Sequence, residues 1–242
     1  AYGWRIPFLL SAVLVAVGLY VRSKMQETPV YRLAESENRT SKSPIRDLLP
    51  YWKQVLQGTF AMGVTYTLFW LLGTWSLSYG VKTLHYSNSE WLVMELVAIL
   101  FFAGFIVLGC LWSDRFGRKK VLLTFTVVTL VFSLFATSML TPNNVPGVMF
   151  FLCGGFLLMG GLFGPVGAFL PELFPMNVRY TGAGLSYNLA AIVGAAFAPS
   201  IATYLAENYS VTQVGWYMAV MAVLSIVALL TSKDGSSLDY TK

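Results

Sequence analysis

Seven stretches of this chain are each long and apolar enough to cross a lipid bilayer, and that constrains the fold more than any other feature. A hydrocarbon core of about 30 Å takes roughly 20 residues of α-helix. The stretches run from Trp4 to Val21, Leu56 to Val81, Trp91 to Trp112, Val121 to Leu140, Val148 to Leu170, Gly182 to Ala206 and Gly215 to Thr231. Charged residues make up 11% of the chain, against about 25% in a typical soluble domain. So few charges cannot cover a water-facing surface, so much of the surface faces lipid. The expected fold class is an all-α membrane protein with about seven transmembrane helices.

The polar residues between the spans set the orientation. Of 16 lysines and arginines, only Arg5 and Lys82 fall on one side of this topology. The others follow the first, third and fifth spans, flank the linker, or sit in the C-terminal tail. Cytoplasmic loops carry the excess of Lys and Arg, so the cation-rich side, with the C-terminus, is expected in the cytoplasm. The net charge of +5 therefore reads as topology and not as a nucleic-acid footprint. Cys110 and Cys153 lie inside apolar runs and form neither a disulfide framework nor a metal-ligand cluster. His85 is the only histidine and builds no metal site or catalytic pair alone. No phosphate-binding glycine loop, zinc-protease motif or nucleophile elbow is present, so neither an enzyme nor a cofactor is expected.

The chain opens on Ala1, without an initiator Met or a signal-peptide pattern, and the expectation is a truncated chain. Expected divisions are residues 1–22 as a lone helix, 23–54 as a cytoplasmic linker, 55–232 as a six-helix bundle and 233–242 as a cytoplasmic tail. The fifth and sixth spans are rich in small residues, which allow close helix approach.

Two loop motifs carry a resemblance. Ser113-Asp114-Arg115-Phe116-Gly117-Arg118-Lys119-Lys120 resembles the D-R-x-G-R-[KR] loop between the eighth and ninth helices of the major facilitator superfamily. The family's glycine four residues before the aspartate is Cys110 here, with Gly109 just before it. Pro171-Glu172-Leu173-Phe174-Pro175-Met176-Asn177-Val178-Arg179-Tyr180-Thr181-Gly182, with Tyr187 and Asn188, resembles the metabolite:proton symporter family of shikimate, proline/betaine, citrate and 2-oxoglutarate carriers. The opening Gly3-Trp4-Arg5-Ile6-Pro7-Phe8 is similar to that family's sixth helix. The resemblance implies that the chain corresponds to helices six to twelve of a twelve-helix carrier, in a bacterial inner membrane. It also implies a small-molecule substrate, an organic acid or zwitterion, and protons as partners, with the missing N-terminal bundle needed for a complete carrier. The alternative is a fragment that does not transport.

Candidate residues follow. Asp114, Arg115, Gly117, Arg118, Glu172 and Arg179 are expected at a cytoplasmic gate, with Glu172 able to pair with Arg118; the competing reading is a set of solvated charges that only fixes topology. Glu95 is the one acidic residue set inside a span, where ionisable groups are rare and costly. It is the candidate for proton coupling, or else a carboxylate near the outer surface. Gly63, Tyr66, Trp70 and Thr74 share one face at helical spacing, so Tyr66, Trp70 and Thr74 are cavity candidates, as are Tyr187 and Asn188. A buried Asn188 would need a hydrogen-bond partner.

Overall fold

The computed structural model describes residues 5–24 and 44–232. The chain divides into two compact units, residues 1–42 and 43–242. In the first, helix α1 spans Arg5–Lys24, 20 residues, or roughly 30 Å at 1.5 Å per residue. Trp4, most of the expected linker (25–43) and the expected tail (233–242) lie outside the described residues.

Among the described residues of the second unit all regular structure is helical. A short helix α2 (Pro44–Leu48) leads through a single 3₁₀ turn into α3 (Trp52–Trp70). Then come α4 (Ser76–Lys82), α5 (Asn88–Phe116), α6 (Arg118–Ala136), α7 (Val145–Glu172), α8 (Arg179–Ala191), α9 (Ala198–Asn208) and α10 (Val211–Thr231). Among the described residues, six segments are long and apolar enough to cross a membrane: Ile45–Lys82, Asn88–Phe116, Arg118–Met139, Val145–Glu172, Arg179–Asn208 and Val211–Thr231.

The helix ends follow from local chemistry. Ser87 caps α5 by accepting from the Glu90 amide at 3.2 Å, while the Ser87 amide donates to Glu90 Oε2 at 2.8 Å. This reciprocal pair satisfies two amides that a helix start leaves open. Asn144 caps α7 by accepting from the Gly147 amide at 3.1 Å. Between α5 and α6 the chain reverses on Gly117 alone, whose φ of 93° is a conformation that side chains disfavour.

Two spans are not continuous α-helices. The run expected from Leu56 to Val81 widens into a π turn at Leu71–Trp75, between α3 and α4. The run expected from Gly182 to Ala206 does the same at Ile192–Ala196, between α8 and α9. Pro199 sits in the first turn of α9 and has no amide to continue the ladder backward. At the first interruption the Ser76 hydroxyl donates to the Leu72 carbonyl, giving that oxygen a partner inside the widened turn.

The two interrupted spans cross at their thinnest points. A Cβ on Gly194 would stand 2.5 Å from the Gly63 carbonyl oxygen and 2.9 Å from Tyr66 Cβ. Polar clasps hold α3 from two further sides. The Ser225 hydroxyl of α10 donates to the Phe60 carbonyl at 2.6 Å and accepts from the Val64 amide at 3.2 Å. The Ser186 hydroxyl of α8 donates to the Gly182 carbonyl at 2.9 Å and to that of Val55 at 3.3 Å. On the far side α5 lies against α7 at glycine contacts: Cβ atoms on Gly160 and Gly164 would stand 2.5 and 2.6 Å from the carbonyls of Phe102 and Ile106. The buried core around these crossings includes Leu68, Leu72, Trp91, Phe151, Phe169 and Met218.

The glycine crossing yields a direct test. Gly194→Ala should destabilise the bundle by about 1–3 kcal/mol, the usual cost of overpacking. Gly184, where an added Cβ meets nothing within 4 Å, should accept alanine with little change. Thermal unfolding in detergent, followed by circular dichroism, compares the two variants.

Candidate functional site

The candidate residues separate into two places, one along the membrane-spanning part of the bundle and one at its end.

Within the spans, Tyr66 of α3 meets Tyr187 of α8. Their rings pack edge to face, with centroids 5.4 Å apart and planes at 75°. Both line a cavity of about 160 Å³, together with Thr65, Phe69, Phe163 and two methionines, Met62 and Met159. The Gly63–Gly194 approach brings α3 and α8 close enough for this meeting. Trp70 and Thr74 do not line this cavity. Trp70 is exposed and packs edge to face on Phe69 at 5.9 Å, and Thr74 is exposed within the π turn. A π turn holds more residues than an α turn, so the face shared by Gly63, Tyr66 and Trp70 does not continue to Thr74. Asn188 is exposed, in contrast to the burial considered for it, and its side-chain amide donates to the Gly184 carbonyl of its own helix at 2.8 Å.

Glu95 is buried, at 8% exposure, two helical turns into α5. The sequence left open a carboxylate close to the outer surface, whereas packing encloses this one. It faces the first π turn: its Oε1 lies 3.7 Å from where a Cβ on Gly73 would stand. Among the described residues none forms a hydrogen bond or ion pair with it. Trp91, one turn earlier on the same face, is fully buried, and its ring occupies the space beside Gly80.

At the bundle end, Arg118 at the start of α6 forms an ion pair with Glu172 at the end of α7. Glu172 is the more enclosed partner, with its side chain 11% exposed against 33% for Arg118. The Arg179 Nε donates to the Phe174 carbonyl at 3.2 Å, and the turn is anchored by Phe174 and Val178, packed with Leu48 and Val55. Asp114 is exposed, and the Arg115 guanidinium lies over the Phe116 ring at 5.4 Å. Of the expected gate residues, Arg118 and Glu172 thus form an ion pair, Arg179 bonds a carbonyl, and Asp114 faces outward. Gly109 backs onto Gly161, where its Cβ would stand 3.0 Å from the carbonyl, while the Cys110 sulfur lies against Gly164. Gly109 therefore makes the close helix contact next to the motif.

Two residues that the sequence did not single out complete this end. Lys119 Nζ donates to the carbonyls of Ser232 at 2.5 Å and Leu230 at 3.3 Å, and Gln57 Nε2 donates to that of Thr231 at 2.9 Å. A helix end leaves its last carbonyls without amide partners, and a cation there also meets the negative end of the helix dipole. The only sequence signal was the basic run Arg118-Lys119-Lys120, which does not say which helix it caps.

Six apolar spans, two of them interrupted beside a cavity, make up a multi-pass membrane bundle. The chain belongs to the Major Facilitator Superfamily, which it matches over residues 96–239. It is 42% identical over 240 residues to the inner membrane metabolite transport protein YhjE of Escherichia coli strain K12, covering 97% of this chain and 54% of that protein. It is 31% identical over 232 residues to a citrate-proton symporter of Klebsiella pneumoniae, covering 94% and 51%. Against a proline/betaine transporter of Escherichia coli K12 it is 28% identical over 250 residues, covering 96% and 49%. The chain spans about half the length of the curated relatives it matches, and these relatives are transporters, not enzymes. No solved structure gives a significant match.

The ion pair lies between the exposed and the buried limits, so its coupling should be about 1–2 kcal/mol. A double-mutant cycle of Arg118→Gln and Glu172→Gln, read by denaturant unfolding in micelles, should return that coupling. Lys119→Met should cost about 0.5–1 kcal/mol through the lost cap.

Proposed function

We propose that this chain supplies the second bundle of a secondary active carrier that moves a small metabolite together with protons by alternating access. In this reading residues 1–22 are the last helix of a first bundle, 23–54 the linker, 55–232 the second bundle and 233–242 the tail. The membrane is the bacterial inner membrane, with the C-terminus in the cytoplasm; the name of the relative YhjE and the gathering of Lys and Arg on one side support that placement. The citrate-proton and proline/betaine relatives support an organic acid or a zwitterion as cargo.

One observation carries the reading. Two interrupted spans cross at Gly63 and Gly194, border a cavity at Tyr66 and Tyr187, and have a buried carboxyl, Glu95, facing one of the interruptions. Irregular backbone at membrane depth is tolerated where it is buried in protein or borders a cavity, and carriers build their sites at such breaks. Burying a carboxylate without a partner is costly, and taking up a proton removes that cost. Glu95 is thereby suited to carry a proton in one conformation and release it in another. At the cytoplasmic end, Asp114, Arg115, Gly117, Arg118, Glu172 and Arg179 form the gate, with the Arg118–Glu172 pair tying α6 to α7. Coverage of about half of each relative favours a second reading, in which this chain alone transports nothing.

Proteoliposomes separate these readings. The full-length polypeptide containing this chain should accumulate substrate under an inward proton gradient, and the 242-residue chain alone should not. Glu95→Gln should cut gradient-driven accumulation at least about tenfold while sparing substrate exchange at equal pH, the pattern of a lost proton carrier. Accumulation unchanged in that variant would remove Glu95 from the mechanism. Glu172→Lys should cripple uptake at unchanged expression, and normal uptake would exclude the gate.

A further inference from the structure

The wall of the cavity beside Tyr66 favours one ligand chemistry over the others. Its aromatic part is Tyr66, Phe69, Phe163 and Tyr187, and the two tyrosines form a corner with planes at 75°. No acid or base stands in this wall, and among the described residues every lysine and arginine lies at or near a helix end or outside the helices. An anionic ligand group would find no cation here. A primary ammonium would find no set of acceptors for its three N–H groups. A quaternary ammonium has no N–H to satisfy, and its charge, spread over methyl groups, is attracted to aromatic faces. The polarisable thioethers of Met62 and Met159 suit the same group. The volume of about 160 Å³ holds about five water-sized groups, and a quaternary head consists of a nitrogen and four carbons.

Thr65 adds an independent observation. Thr67, Thr126 and Thr129 return their hydroxyl to the carbonyl four residues earlier, at 3.0, 2.7 and 2.8 Å. Thr65 does not; Thr59 and Thr137 share that state, but of the three only Thr65 borders this cavity. It is 2% exposed, its Oγ1 is buried without a partner, and it lines the cavity. A buried hydroxyl left unpaired is costly, and a ligand acceptor would remove that cost.

We propose that this cavity binds the methylated ammonium end of a small zwitterion, with Tyr66 and Tyr187 against the cation and Thr65 donating to the carboxylate. The proposal rests on the carrier reading for the ligand's being cargo; binding itself is measured without transport.

The test uses the full chain in bilayers of phosphatidylethanolamine and phosphatidylglycerol, because phosphatidylcholine is itself a quaternary ammonium. Tetramethylammonium, glycine betaine and citrate are titrated by saturation-transfer NMR. Tetramethylammonium and glycine betaine should compete for one site that citrate does not occupy. Tyr187→Leu should weaken both about tenfold, and Tyr187→Phe, which keeps the ring, by less than about threefold. Tyr187 is 41% exposed, so neither change threatens the fold. Thr65→Val should weaken glycine betaine about tenfold and leave tetramethylammonium within about twofold. Absence of tetramethylammonium binding, displacement by citrate, wild-type affinity in Tyr187→Leu, or equal effects of Thr65→Val on both probes would each overturn the proposal. Proton-driven citrate uptake by the full-length protein without tetramethylammonium binding would overturn this inference alone. Binding without any proton-driven uptake would overturn the carrier reading alone.

Discussion

A backbone amide or carbonyl inside a bilayer has no water to bond with, so each must find its partner within the protein. Two spans of this chain break their α-helical ladder midway, and the arrangement around them answers that demand. Ser76 gives its hydroxyl to the Leu72 carbonyl within the first interruption. Away from the interruption, Ser225 and Ser186 clasp the continuous part of α3 from two other helices. Gly194 lets the interrupted spans touch backbone to backbone at the Gly63 carbonyl. The tyrosine corner and its cavity exist because of that touch: a side chain at Gly194 would push the two spans apart.

The charges obey the same economy. They gather at the bundle ends, where Lys119 and Gln57 hold the end of α10 and Arg118 ties α6 to α7. Each of these contacts joins helices within the same unit. Asp114 is left facing outward beside Arg115. Glu95 is the exception, a carboxyl enclosed against a π turn.

Part of the candidate site was legible in the sequence. Tyr66 and Tyr187 were singled out separately, one for its place on a helical face and one for its place in a family-like segment, and the fold brings them to 5.4 Å. Arg118 and Glu172 were paired as a hypothesis because both fall in loops on one side, and they do meet. Trp70 and Thr74, expected on the same face as Tyr66, are exposed outside the wall of this cavity, Thr74 within the π turn at Leu71–Trp75 that interrupts the helical period. Asn188 was weighed as a buried amide, yet it bonds its own helix and is exposed. Thr65, Ser225 and Gln57 carried no signal, and Lys119 only that of its basic run, since a hydroxyl, an amide or a lysine in sequence says nothing about which helix it will face.

By itself the sequence determined the spans and the family, because hydropathy and loop motifs are read residue by residue along the chain. Only the tertiary structure decided where the spans break, which serine enters which ladder, and that Thr65 keeps its hydroxyl free beside an aromatic corner. Those outcomes depend on how helices far apart in the chain cross, and a contact between residues 60 and 225 is a property of that crossing and not of either segment alone.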